Sequence, residues 1–497
     1  MRALQYAPRS TWQRLAIVFA VALGATLASK GMALLPGYAV DDYGVSFFDQ
    51  SLTFYLSQGR YTQALLQLIA TSLDLRVPSF YWPSTLAAIL MLPLVAAFGL
   101  TRIGGDTTPV AWQAVGAAVI CAHPYFTEYF TFRQALYNAS VYITLLFLHL
   151  YFAYRVDTSS PLFAKRNLGW VVASSFALML SLGGHQLVLP MALSFFGMTI
   201  VAGRASSSGP PISVKQDLRL LAPAILGTVL YLAAHVTIKI ALGDAGDPRG
   251  KIVAIQQLGE RTLQVWGLIW SMATANEPLF SRACKALMIV PAFAIAVLAF
   301  ARKPKTTMAY TMVVAVLAAI SLVPVSLSGE WWPVPRALSA LGFVSGASVV
   351  GLLILCGRGR LTDIATPLFF CAALVMTMHS ASMLHDQFRL NRWDMNKAQL
   401  ITYETVKRYG SGALDRLVLV NGGWAYDSRL RTATGDLNIS ALSVPWAQAP
   451  MMMEATGSRI SKQPIPPERA ARECTQRKAW PADESMYELE GMVVVCL

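Results

Sequence analysis

Apolar positions in this chain come in long unbroken runs, from residue 13 to about residue 383. Each run is close to the ~20 residues that a helix needs to cross a bilayer. They predict spanning helices over about 13–35, 84–100, 110–123, 135–154, 167–182, 186–202, 219–242, 284–301, 306–327, 337–356 and 361–383, about eleven in all. The runs do not alternate, which argues against a closed β-barrel. Two stretches, 45–75 and 253–280, are less apolar and more amphipathic. They read as helices that lie along the membrane surface or re-enter it. The first run follows Arg2, Arg9 and Arg14 and has no convincing small-residue cleavage site after it, so it reads as an uncleaved first helix.

From residue 384 the pattern changes. A polar helical stretch leads into the β-like run ending "RLVLV", and "NGGW" supplies turn chemistry. "IPPERAAREC" reads as a helix opening on proline, and "MYELEGMVVVCL" closes with strand-like character. The expected architecture is a polytopic α-helical membrane domain over 1–383 and a small extracytoplasmic α/β domain over 384–497. No internal repeat is evident, and the one low-complexity stretch is the short loop "ASSSGPP".

Composition agrees. Of 497 residues, 55% are hydrophobic and 13% charged, at a mean hydropathy of +0.48. Soluble domains carry about 25% charged residues. The net charge of +13 is explained by orientation rather than by nucleic acid. With the N-terminus cytoplasmic, the inner segments hold 15 Lys and Arg, and outer segments nearly twice as long hold 8. That is the positive-inside bias, and an odd number of spans sends the C-terminus outside. Of the six cysteines, Cys121, Cys284, Cys356 and Cys371 lie far apart in or beside apolar runs, without metal-ligand spacing. Cys474 and Cys496 share the polar tail, where an oxidising compartment would allow a disulfide.

This topology gathers five polar segments on the outer face: the loop carrying Asp41 and Asp42, "HPYFTEYFTFRQALYN", "GGHQ", "GDAGDPRGK" and "EWWPVPR". They bring acids (Asp41, Asp42, Glu128), cations (Arg60, Arg133, Arg336, with Lys239 nearby) and polar or aromatic groups (Tyr137, His185, Gln186, Trp331, Trp332). Those are the ingredients of sugar transfer from a lipid phosphate. A carboxylate takes the proton of the acceptor hydroxyl, cations steady the departing phosphate, and aromatic faces stack on the sugar. Asp41 or Asp42 is the candidate base, with Asp42 the first choice. Arg60, Arg133, Arg336 and Lys239 are candidate phosphate ligands; Glu128, His185, Gln186, Tyr137, Trp331 and Trp332 are candidate sugar or acceptor contacts.

Each of these has a plainer reading. The acids could cap a surface helix. Arg60, Arg336 and Lys239 could snorkel to headgroups, and Glu128 could pair locally with Arg133. His185 could be a satisfied structural histidine, and the tryptophans could belong to the interfacial belt. No metal site is assigned. His123 and Glu128 fall short of a ligand set, and a divalent ion is left open through the two acids of "GDAGDPRGK" or through whichever of Asp41 and Asp42 is not the base. No P-loop, GxSxG or zinc motif is present.

The order and common face of "VDDYG", "QGRY", "HPYFTEYFTFRQALYN", "LSLGGHQLVLP" and "VPRAL" resemble the membrane-integral GT-C glycosyltransferases. Within them the chain looks like the type II O-antigen glucosyltransferase family of bacteria and their phages. The resemblance covers most of residues 30–345 and, more loosely, the tail. Where the family has an aromatic before the glutamine, this chain has His185. The resemblance implies a GT-C-like fold and a first-loop aspartate as base. The donor would be glucose on polyprenyl phosphate in the outer leaflet, and the acceptor a lipid-linked polysaccharide repeat of the O-antigen of lipopolysaccharide. It places the protein in the bacterial inner membrane, with its site and its C-terminus in the periplasm. The rivals are transfer of another sugar from the same type of carrier, a transporter or flippase of lipid-linked sugars, and a scaffold. Transporters favour repeats and midplane sites, which this chain does not display.

Overall fold

A computed structural model describes residues 11–47, 51–75, 77–205, 214–243, 251–275, 279–420, 430–433, 437–457, 460 and 467–497. Most of "GDAGDPRGK", all of "NGGW" and most of "ASSSGPP" lie outside the described residues.

The chain opens with α1 (Thr11–Lys30) and then three short helices, α2 (Val40–Phe47), α3 (Leu52–Ser57) and α4 (Tyr61–Ser72). Then follow α5 (Val77–Arg102), α6 (Val110–Ala122), the single turn α7 (Pro124–Thr127), α8 (Arg133–Ala153), α9 (Lys165–Gly184), α10 (Val188–Ala205) and α11 (Val214–Leu242). After α12 (Leu258–Thr274) come α13 (Arg282–Arg302), α14 (Pro304–Leu327), α15 (Ala340–Cys356) and α16 (Arg360–Tyr409). Among the described residues ten helices are long and apolar enough to cross a membrane, and α6 is a shorter apolar one. The chain is thus a mostly helical, multi-pass membrane protein.

The spans sort into centre and periphery. In the apolar windows of α5 and α15, 72% and 78% of residues are buried, against 11% for α11. The outer faces of α11 and α13 present Val229, Leu232, Val236, Val290 and Phe293, as lipid-facing helices do. α6 is short because it lies inside the bundle. It crosses α15 where Gly116 meets Gly346, and a Cβ on Gly346 would sit 2.4 Å from the Gly116 carbonyl oxygen. Small residues at such a crossing let two backbones touch.

The boundary expected at residue 384 falls inside one helix. α16 runs for 50 residues, about 75 Å at the usual helical rise. Its first half is apolar. Its second half carries a polar face that works as a set of anchors. Gln387 and Asn391 donate side-chain hydrogen bonds to the Tyr38 carbonyl (2.6 and 2.7 Å), and Tyr38 N–H donates to Asn391 Oδ1. Asp386 accepts from the Thr432 hydroxyl (2.8 Å) and Asp394 from the Ser440 hydroxyl (2.6 Å). Asp386 is 6% exposed, so it is a buried anchor.

The tail forms a three-stranded sheet in the order β1 (Leu417–Val420), β3 (Met492–Cys496), β2 (Met486–Leu489). β1 runs parallel to β3 and β2 antiparallel to it. The helix α17 (Pro445–Thr456) packs Val444, Ala447 and Met451 against Ala39, Val40 and Tyr43 of the first loop. Cys474, the last residue of α18 (Pro467–Cys474), forms a disulfide with Cys496 of β3. The bridge closes a loop with a sequence separation of 22. Cys474→Ser with Cys496→Ser should lower stability by about 3 kcal/mol, read as a lower melting temperature that reducing agent reproduces in the wild type and not in the variant.

Candidate active site

The two acids of the first loop part company. Asp42 is fully buried. Its Oδ2 accepts from the backbone N–H groups of Ala39 and Arg133, and its Oδ1 from that of Gln134, each at 2.9 Å. It therefore caps the first turns of α2 and α8 together, the role that favours an acid at a helix N-terminus. Burial pushes its carboxyl up to about 6, and the three N–H groups pull the other way. At neutral pH it remains mainly the carboxylate those donors need. Asp41, its neighbour, is half-buried. It lies within electrostatic reach of Tyr55, as Arg60 does, and burial pushes the Tyr55 phenol up to about 12. Tyr55 also accepts a short hydrogen bond from the Gln134 side-chain amide. Asp42, the first choice as base, thus has both oxygens engaged and no exposed surface.

Arg60 enters from the turn between α3 and α4. Gly59 takes φ +73°, and a Cβ there would lie 2.6 Å from the Tyr231 hydroxyl, so the turn that delivers Arg60 fits glycine. The charges of Arg60 and Arg336 both bear on His185 and Tyr129. Burial, then those two cations, holds His185 well below the ordinary histidine range. Its Nδ1 accepts from Leu187 N–H (3.3 Å), so the neutral ring carries its proton on Nε2. His185 packs edge-on to Tyr129 (6.0 Å between centroids) and tilted to Tyr142 (5.9 Å).

Arg336 is bound to Glu128. Glu128 has no exposed surface, and its Oε1 accepts from Arg336 Nη1 at 2.7 Å. Its Oε2 takes a short bond from the Arg336 backbone N–H. The Arg336 guanidinium lies over the Phe132 ring at 4.4 Å. Glu128 thus pairs across the fold, and the local partnership with Arg133 does not form.

Arg133, a candidate phosphate ligand, is held by main-chain carbonyls. It is 3% exposed. Its guanidinium donates to the carbonyls of Gly37 (2.9 Å), Ala33 (2.8 Å), Phe130 (3.0 Å) and Leu35 (3.2 Å) and stacks on Tyr81 at 4.6 Å. It fastens the end of α1 to the start of α8. Gln186 is likewise a fastener, donating to Gln58 O (2.8 Å) and to the Tyr231 hydroxyl (2.9 Å). Tyr137 stacks on Phe80 at 4.6 Å. Trp331 carries the Arg261 guanidinium over its ring at 5.1 Å, and Trp332 is half-buried beside it. Lys239 is exposed one turn of α11 beyond His235, whose ring abuts Gly59. Among the described residues no three His, Cys, Asp or Glu side chains converge as metal ligands.

Asp41 and Arg60 thus share Tyr55, and Arg60 and the Glu128-bound Arg336 share His185. Tyr55, Tyr129, Tyr142 and Gln134 complete the candidate site and were not singled out in the sequence. Tyr129 and Gln134 sit inside "HPYFTEYFTFRQALYN", but nothing in that run distinguishes one aromatic from the next.

No family model matches this chain, and no curated protein does either. Among solved structures, the oligosaccharyltransferase of Archaeoglobus fulgidus, in complex with Zn and sulfate, is similar at 12% identity and a TM-score of 0.37. The similarity covers 91% of this chain and 59% of that one. A likeness at this level assigns neither a family nor an activity.

Proposed function

We propose that this protein is a GT-C-type membrane glycosyltransferase. It moves a hexose, with glucose the first choice, from a polyprenyl-phosphate carrier to a polysaccharide or lipid-linked glycan. The reading places the Asp41 end in the periplasm of a bacterium, with the N-terminus on the cytoplasmic side of the inner membrane. Its main support is the half-buried acid Asp41 and Arg60, whose charges both bear on Tyr55, with Arg60 and the Glu128-held Arg336 both bearing on His185. In the proposed step the acceptor oxygen forms a bond to the anomeric carbon while the bond from that carbon to the phosphate oxygen breaks. The hydroxyl proton passes to Asp41. The phosphate leaves as an anion beside Arg60, with Arg336 oriented by Glu128. His185 offers a neutral Nε2–H donor, and Asp42 fixes the backbone that carries Asp41.

The test is direct. Full-length protein in proteoliposomes receives radiolabelled polyprenyl-phosphate glucose and a lipid-linked polysaccharide. Label moving from carrier to polysaccharide is the expected result. Label that stays on its carrier with glucose, other hexose, pentose and amino-sugar donors removes the proposal. Carrier that crosses the bilayer unchanged would make the protein a transporter.

A further inference from the structure

The end of the bundle opposite Asp41 holds a cavity of about 430 Å³. Its walls are the loop between α5 and α6, the last turns of α10 and the end of α15, with Arg102 and Arg358 among the lining side chains. α5 and α15 finish their membrane crossings here, at Arg102 and Cys356. The cavity therefore sits where hydrocarbon gives way to water.

Three observations define what it would hold. First, both cations are unspent. The Arg102 guanidinium rests on the rings of Phe98 (4.9 Å) and Tyr154 (5.8 Å), and neither arginine has a hydrogen bond or ion pair among the described residues. Among the described residues no Asp or Glu lines the cavity, and Asp106 of the loop pairs with Arg14. Lys303, which donates to the carbonyl of the lining residue Ala205 at 2.9 Å, adds a further positive charge.

Second, the loop is built to a fixed shape. Arg14 reaches from α1 to donate to Asp106 O (2.8 Å), to Gln113 Oε1 (2.9 Å) and, by a short bond, to Thr108 O. Gly104 takes φ +71°, and a Cβ there would lie 2.8 Å from Ile354 Cδ1, so the loop presses directly on α15. Third, the lining is mixed: Trp112 and Ile354 contribute apolar surface beside the arginines.

Two arginines beside apolar surface at the membrane boundary suit a phosphate that carries a hydrocarbon tail. We propose that this cavity binds the phosphate of an anionic lipid headgroup. The ligand chemistry is a phosphate ester, and a free phosphate would use the same two guanidinium groups without the apolar surface.

Full-length protein in non-ionic detergent is titrated with phosphatidylglycerol, with phosphatidylcholine and with inorganic phosphate. Bound lipid is read by native mass spectrometry, and stabilisation by melting temperature. Retention of phosphatidylglycerol but not phosphatidylcholine is expected. Arg102→Gln with Arg358→Gln should weaken it by about tenfold or more through loss of two charge-assisted contacts. Arg155→Ala, which removes a cation outside the cavity lining, should leave it unchanged. Stabilisation by inorganic phosphate that equals that by phosphatidylglycerol, and is lost in the double variant, assigns the cavity to free phosphate and overturns the lipid. Equal retention by wild type and double variant overturns the site altogether. If the double variant does not fold, Arg358→Glu alone, at an exposed position, serves in its place: undiminished lipid retention there counts against the cavity.

Discussion

Asp41→Asn should abolish hexose transfer, with a fall of roughly 10²–10⁴-fold if Asp41 is the general base, and should leave the melting temperature near that of the wild type. Asp42→Asn should do the reverse in kind. The Asp42 carboxylate gives both its oxygens to three backbone N–H groups, and an asparagine offers one acceptor oxygen and turns an NH₂ group toward the remaining donors. Leaving such a buried donor unmet costs about 1–3 kcal/mol, so Asp42→Asn loses stability first and activity in consequence. Transfer assays and thermal unfolding on the two variants side by side separate chemistry from positioning. An Asp41→Asn protein that is fully active removes Asp41 from the mechanism, and a fully stable Asp42→Asn protein removes the capping role.

The second large effect belongs to the Glu128–Arg336 pair. Arg336→Ala leaves a carboxylate with no exposed surface and without its guanidinium partner. Breaking a buried pair from one side costs about 3–5 kcal/mol. Glu128→Gln with Arg336→Gln should recover most of that loss, because no buried charge is then stranded. It should not recover transfer if Arg336 serves the phosphate as proposed, because that cation is gone. A double-mutant cycle on melting temperature and on rate measures both halves. Full activity in the doubly neutral protein would reduce the pair to a structural tie.

The membrane architecture was legible because lipid imposes a strong rule. Every backbone polar group in hydrocarbon is met within its own helix, so each crossing announces itself as one long apolar run. All eleven runs correspond to helices, α6 included, although it spans only Val110–Ala122. The boundary expected at 384 falls within a helix for the same reason. Composition reports whether a segment faces lipid or water, and α16 passes from one to the other without ending.

The site was legible as a set and not as a network. Alternation of spans put the loops of the proposed site at one end of the expected topology. Partnership was hidden: Arg133 is five residues from Glu128, yet the ion partner of Glu128 is Arg336, at a sequence separation of 208. Arg133 looked like a phosphate ligand because a lone arginine near an aromatic run carries no mark of the four carbonyls that will surround it. The difference between Asp41 and Asp42 likewise depends on which one meets the start of α8, and adjacent residues in a sequence carry no sign of that.

α16 joins a membrane crossing, with Pro367 near its start, to the mount for Tyr38, three residues ahead of Asp41, in one continuous rod of helix. A span adapts to the thickness of its bilayer by tilting, and a tilt of this rod swings the side chains that grip the Tyr38 backbone. Thinner or thicker membranes are in that way mechanically geared to the aim of the acid loop.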